Sequence, residues 1–163
     1  MPERVRTAAE LAAVDALVIP GGESTTIGQL VAEAGLIPPL RQFVSSGRPV
    51  WGTCAGLILL AAPAPDGGPA VGGLDVCVER NSFGRQVHSF EVDLDMPALG
   101  PPPFRAVFIR APVIRAAGTS VEVLARLSDG SIVAVRSGRV LGTAFHPELT
   151  PDTRLHHFFL AAP

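Results

Sequence analysis

Pro49-Val50-Trp51-Gly52-Thr53-Cys54-Ala55-Gly56-Leu57-Ile58-Leu59-Leu60 is the stretch that decides the fold. A short continuous apolar run ending at Gly52 reads as a strand buried on both faces, the kind found inside parallel sheets. A second apolar run from Ala55 to Ala62 is helical in character. Cys54 stands at the joint between two glycines, in the G-x-nucleophile-x-G form of a nucleophile elbow. Such a turn is sharp, and only small neighbours let the backbone pass close to itself.

The same grammar extends outward. Ala16-Leu17-Val18-Ile19 is a second buried strand, closed by Pro20-Gly21-Gly22. Ser24 or Thr25 is expected to cap a helix over about 26–34. Pro38 and Pro39 open another helical stretch through Phe43, which Gly47 closes. This early β-α-β order predicts a three-layer α/β fold: a mostly parallel, open, flavodoxin-like sheet with helices on both faces. Residues 62–73 are rich in Pro, Gly and Ala and read as a loop. Apolar clusters at 74–79, 89–94, 106–110, 121–127, 132–135 and 140–145 predict strands, some of them antiparallel at an edge. Asp129-Gly130 and Ser137-Gly138 are hairpin-turn signals, and a helix is expected over 153–161.

His146-Pro147-Glu148 follows the last of these strands. Two residues apart at a strand end, His146 and Glu148 lean to the same side. A histidine can take a thiol proton, and a carboxylate can fix the histidine's tautomer. Taken alone, each motif also fits a buried structural cysteine or a surface His-Pro turn. Together, in this order, they favour chemistry. Pro20-Gly21-Gly22, Cys54 and His146 all fall at C-terminal strand ends, the rim where open α/β sheets place ligands.

Composition bounds the rest. At 163 residues, with 47% apolar and 17% charged residues, the chain reads as a single globular domain over residues 1–163. A net charge of −2 without a basic run gives no reason to expect nucleic acid or an anionic membrane as partner. No apolar stretch is long enough to span a bilayer. Cys54 and Cys77 are the only cysteines, too few for a disulfide framework. A reactive thiol fits a reducing, cytoplasmic setting. Cys77 is expected in the core. His88, His156 and His157 belong to no paired motif.

Three strings now stand together: Pro20-Gly21-Gly22-Glu23-Ser24-Thr25-Thr26, Gly52-Thr53-Cys54-Ala55-Gly56 and Phe145-His146-Pro147-Glu148-Leu149. This set resembles the class I, triad-type glutamine amidotransferases. Glu79-Arg80-Asn81-Ser82-Phe83-Gly84-Arg85-Gln86 and Phe108-Ile109-Arg110-Ala111-Pro112 narrow the resemblance to the glutaminase subunits of pyridoxal 5′-phosphate synthase. The resemblance implies a Cys54-His146-Glu148 triad that hydrolyses L-glutamine to glutamate and ammonia through a thioester. It implies an oxyanion hole from the backbone amides of Gly22 and Ala55. It implies glutamine contacts at Gly22, Glu23, Ser24, Arg80, Ile109 and Arg110, with no metal or organic cofactor. The implied partner is a (β/α)8-barrel synthase in a large hetero-oligomer that receives the ammonia for vitamin B6 synthesis. An amidotransferase of another pathway, a non-catalytic docking subunit and a cysteine-based redox protein are the rival readings.

The chain departs from this pattern at its start. The family's opening strand, Leu-Gln-Gly loop and helix have no counterpart, and residues 1–14 correspond to the segment entering a later strand. A start assigned too late is the favoured explanation, because the motif residues are intact. A shortened, catalytically impaired protein is the other. On either, a neighbouring strand is expected to present unpaired backbone, and the chain is expected to be less stable and less active than one carrying the missing unit.

Overall fold

In a computed structural model of the protein, residues 1–63, 70–80 and 89–161 are described. The elements run, in chain order, α1 (Ala8–Ala13), β1 (Leu17–Ile19), α2 (Ser24–Glu33), α3 (Ile37–Ser45), β2 (Val50–Thr53), α4 (Ala55–Leu60), β3 (Val76–Glu79), β4 (Ser89–Leu94), β5 (Phe104–Ile109), β6 (Val113–Ala117), β7 (Glu122–Arg126), β8 (Ile132–Ser137), β9 (Val140–Thr143), a 3-10 turn (Pro147–Leu149) and α5 (Arg154–Leu160).

Among the described residues a seven-stranded sheet has the order β1-β2-β9-β8-β6-β3, with β7 paired to β8. The parallel strands β1, β2 and β9 lie side by side, with Leu17 opposite Val50 and Val50 opposite Val140. Antiparallel pairing takes over from β9 to β8 and continues through β7, β6 and β3. The two expected hairpin signals sit in the β7–β8 and β8–β9 turns, with Gly130 and Gly138 at φ 88° and 54°. β4 and β5 form a separate antiparallel ribbon.

Strand alternation decides which side chain meets which layer. Gly52 and Gly142 point to the face covered by α4: a Cβ on Gly52 would lie 2.5 Å from the Gly56 backbone, and one on Gly142 2.7 Å from Leu57 Cδ1. Trp51 points to the other face, where its ring meets His156 at 5.0 Å and Phe159 at 5.6 Å on α5. Its indole N–H donates to Thr143 Oγ1 at 3.1 Å, so the one polar atom of this buried ring is satisfied. Phe145 packs on Phe104 and Phe108 of β5, both at 5.6 Å between ring centroids, tying the ribbon to the sheet just where the His146 motif begins.

Local chemistry accounts for the helix starts. Thr7 and Glu10 form a reciprocal capping box on α1, an element the sequence reading did not foresee. α2 begins earlier than expected. Its cap is Glu23, not Ser24 or Thr25: the Glu23 carboxylate accepts from the amides of Thr25 at 2.9 Å and Thr26 at 2.7 Å. Those bonds and the Thr26 hydroxyl hold the Glu23 carboxyl down at about 2. Cys77 is exposed, against the expectation of a core position. On β3 the buried face begins at Val76, so period-two alternation turns Cys77 outward. The strand β6 was also unforeseen, because Pro112 hides its start and Arg115 interrupts its apolar run.

Candidate active site

β2 delivers Cys54 and β1 delivers Pro20-Gly21-Gly22. β9 leads through Phe145 to His146. The three expected motifs therefore emerge from the same ends of three adjacent parallel strands.

The elbow is a strained turn held by close packing. Cys54 has φ 50° and ψ −105°, outside the helical region that Ala55 enters next. Its amide donates to the carbonyl of Thr143 at 2.8 Å, so β9 carries the β2 ladder one residue into the turn. A Cβ on Gly56 would overlap the Ile19 carbonyl oxygen, which is why a glycine must follow the turn as well as precede it. Arg110, directly after β5, is the other non-glycine residue with positive φ among the described residues, at 44°. Backbone of this kind costs on the order of 1–3 kcal/mol and gathers at functional sites.

His146 is fixed from two directions. Its amide donates to the Val107 carbonyl at 2.8 Å, which joins it to β5. Its Nδ1 meets Glu148 Oε1 at 2.8 Å, across the 3-10 turn. With Nδ1 so engaged, Nε2 is the ring nitrogen left for the sulfur. The Cys54 side chain is the main influence raising the imidazole's pKa, burial opposes it and Glu148 adds to the rise. The result is an imidazole pushed up to about 9. His146 is therefore an acid that still holds its proton at neutral pH, placed between a nucleophilic atom and a carboxylate.

A cavity of about 450 Å3 opens over this group, lined by Gly22, Glu23, Ser24, Cys54, Ala55, Ile58, Arg80, Ile109, Arg110, Pro112 and His146. It is of the size that holds a small metabolite. Of the ten positions singled out in the sequence, nine line it, and Glu148 stands behind His146 with its side chain 49% exposed. Arg80 and Arg110 stand in a wall that also holds Ile58 and Pro112. Ile58 and Pro112 were missed by sequence reasoning. Ile58 sits one helical turn after Cys54, and that spacing was the available signal. The Glu23 carboxylate is committed to the α2 cap, which leaves its backbone for the cavity. The Asn81–Gln86 part of the narrowing string and His88 lie outside the described residues.

An α/β sheet with an elbow cysteine, a His-Glu pair and a cavity at its parallel strand ends has the make-up of the amidotransferase class. The chain belongs to the SNO glutamine amidotransferase family, whose model matches residues 2–162. It is 58% identical over 162 residues, 98% of this chain and 81% of the relative, to the protein named pyridoxal 5′-phosphate synthase subunit PdxT of Frankia alni. It is 59% identical over 158 residues to the protein of the same name from Pelotomaculum thermopropionicum, covering 96% of this chain and 80% of that one. A solved structure described as a glutamine amidotransferase superposes with a TM-score of 0.89 at 51% identity, over 97% of this chain and 84% of that one.

Proposed function

We propose that this chain is a glutaminase that hydrolyses L-glutamine to L-glutamate and ammonia and delivers the ammonia to a pyridoxal 5′-phosphate synthase subunit. The observation that carries the proposal is the His146 ring, linked to Glu148 and facing Cys54 at the wall of a metabolite-sized cavity. The relatives' printed name supplies the acceptor.

In this reading the Cys54 sulfur attacks the side-chain amide carbon of glutamine as the thiolate, the nucleophilic form. The carbonyl π electrons move to oxygen, and the backbone amides of Gly22 and Ala55 hold that oxyanion. His146 gives its proton to the amide nitrogen as the C–N bond breaks, so ammonia leaves and a glutamyl thioester remains. Neutral His146 then takes a proton from water, whose oxygen attacks the thioester, and glutamate departs as sulfur regains the electron pair. Glu148 holds the imidazole's tautomer and orientation through both steps. Gly22, Glu23 and Ser24 contact the substrate through the turn after β1, Ile109 and Arg110 through the end of β5. Arg80 pairs with the α-carboxylate, for which a guanidinium fork is well shaped. Each step uses only these groups and water, so the chemistry calls for no metal or organic cofactor.

Ammonia released into water is protonated and loses its nucleophilic pair, so transfer within a complex is the sensible arrangement. The family resemblance gives that complex a (β/α)8-barrel synthase core in a large hetero-oligomer. Residues 1–163 are read as one amidotransferase domain, and a buried apolar cluster that runs, among the described residues, from Leu11 to Phe159 supports this. No helix among the described residues is long and apolar enough to cross a membrane. With two free thiols, that agrees with a cytoplasmic enzyme.

Glutamine labelled with heavy nitrogen at the amide tests the proposal. Supplied to the chain and its synthase partner, it should place the label in the pyridoxal ring, and Cys54→Ala should abolish incorporation. Unlabelled product formed beside rapid glutamine hydrolysis would overturn the delivery step, and label entering equally with Cys54→Ala would overturn the site.

A further inference from the structure

Gly21 lies against the two side chains assigned to catalysis. A Cβ built on it would stand 2.5 Å from His146 Cε1, 3.1 Å from His146 Nδ1 and 3.2 Å from Cys54 Cβ, and these are its three nearest atoms. Its φ is not in the left-handed region, so the backbone itself would accept alanine. Gly22 differs on both counts: its φ is 149°, and its Cβ would meet Ile27 of α2. At position 22 glycine answers to backbone conformation and to the fold. At position 21 its nearest neighbours are the imidazole and the nucleophile.

We propose that Gly21 is a positioning residue for the reaction: its bare backbone is the seat on which the His146 ring lies, and the missing methyl sets how the ring stands between Cys54 and Glu148. The inference rests on the Cys54–His146 pairing given under Proposed function. The ring edge that faces Gly21 carries Nδ1, the atom bound to Glu148 at 2.8 Å. The His146 backbone is tied to Val107, so an added methyl cannot be met by a sliding strand. The ring must turn, and turning alters its approach to the sulfur, to Glu148, or to both. A displacement near 1 Å in such a group costs roughly 10²-fold in rate.

Gly21→Ala is the variant to make, alone and combined with His146→Ala. Assayed with the synthase partner, Gly21→Ala should lower kcat for glutamate release about 10²-fold and leave KM for glutamine within about threefold. The pH profile of Cys54 alkylation by iodoacetamide, read by peptide mass so that Cys77 is scored apart, should shift, because the ring whose proton faces Cys54 has moved. Melting temperature closes the test. The alanine should lower Tm when His146 is present and cost little when His146→Ala has removed the ring. An equal loss of Tm in both backgrounds, or an unchanged kcat and alkylation profile, would overturn the inference. If the parent chain releases no glutamate, the functional reading fails, while the Tm comparison still decides whether Gly21 seats the ring.

Discussion

Glycine serves two different ends around the cysteine elbow and in the β7–β8 and β8–β9 hairpins of this sheet. In the parallel half, other atoms crowd the space a side chain would take. Gly56 abuts the Ile19 carbonyl, Gly52 the α4 backbone and Gly142 the Leu57 side chain. In the antiparallel half, Gly130 and Gly138 have nothing within 4 Å of a would-be Cβ and are required for positive φ in hairpin turns. Around the elbow glycine admits close packing; in the two hairpins it reverses the chain. The close packing surrounds Cys54, whose φ of 50° would relax if its neighbours gave way. Surface ion pairs fasten the antiparallel strands and the ribbon, while His146–Glu148 is the pair at the parallel strand ends. Arg105 with Glu91 and Asp93, Arg115 with Glu79, and Arg136 with Glu122 lie on the antiparallel strands and the ribbon, with mostly exposed side chains.

The comparison breaks first at Gly56. Gly56→Ala should cost about 3 kcal/mol or more in urea unfolding, because the methyl has only backbone to displace. A loss no greater than that of a hairpin glycine would mean that α4 moves freely away from β1.

Glu148→Gln should come next, lowering kcat roughly 10²–10⁴-fold while the fold persists, since it removes the charge that orients His146. The pH dependence follows in sign. The His146 pKa is raised above its ordinary 6.5 to about 9. Its protonated form therefore contributes stability that is full below pH 6.5 and is lost as pH rises through 9. Losing Glu148 removes one cause of that rise, so the Tm gap between parent and variant should be widest on the acid side of neutrality and close above pH 9. A gap that widened with pH would contradict the ion pair.

Gly138→Ala should cost only about 1 kcal/mol, the strain of a left-handed residue in open space, with no effect on turnover. Glu122→Gln, on a half-exposed pair with Arg136, should change stability by less than about 1 kcal/mol.

Much of this was readable in the sequence because local chemistry and tertiary role coincide. β4 was legible to the residue as Ser89–Leu94, since its alternation is uninterrupted. β1, β2 and the elbow were legible as short apolar runs with glycine at their ends, but β1, expected to be buried, is the sheet's edge strand with Val18 47% exposed. The hairpins were legible from Asp129-Gly130 and Ser137-Gly138. What escaped depended on partners distant in sequence or on geometry. Glu23 as the α2 cap required knowing which way its carboxylate turns, and serine and threonine beside it gave the stronger local signal. The outward Cys77 depended on which face of β3 turns to the core. Gly21 and Gly22 look alike in Pro20-Gly21-Gly22, and only the nearness of His146 separates them. Ile58 and Pro112 became cavity wall through the approach of β5 to the elbow, which no local pattern records.

The central claim is that the strained cysteine at the end of β2 performs the chemistry. Its most direct test is glutamate release from L-glutamine by the chain with its pyridoxal 5′-phosphate synthase partner, run beside Cys54→Ala. The account predicts turnover that falls by at least about 10³-fold in the variant, with Tm little changed. Turnover that survives Cys54→Ala would contradict it.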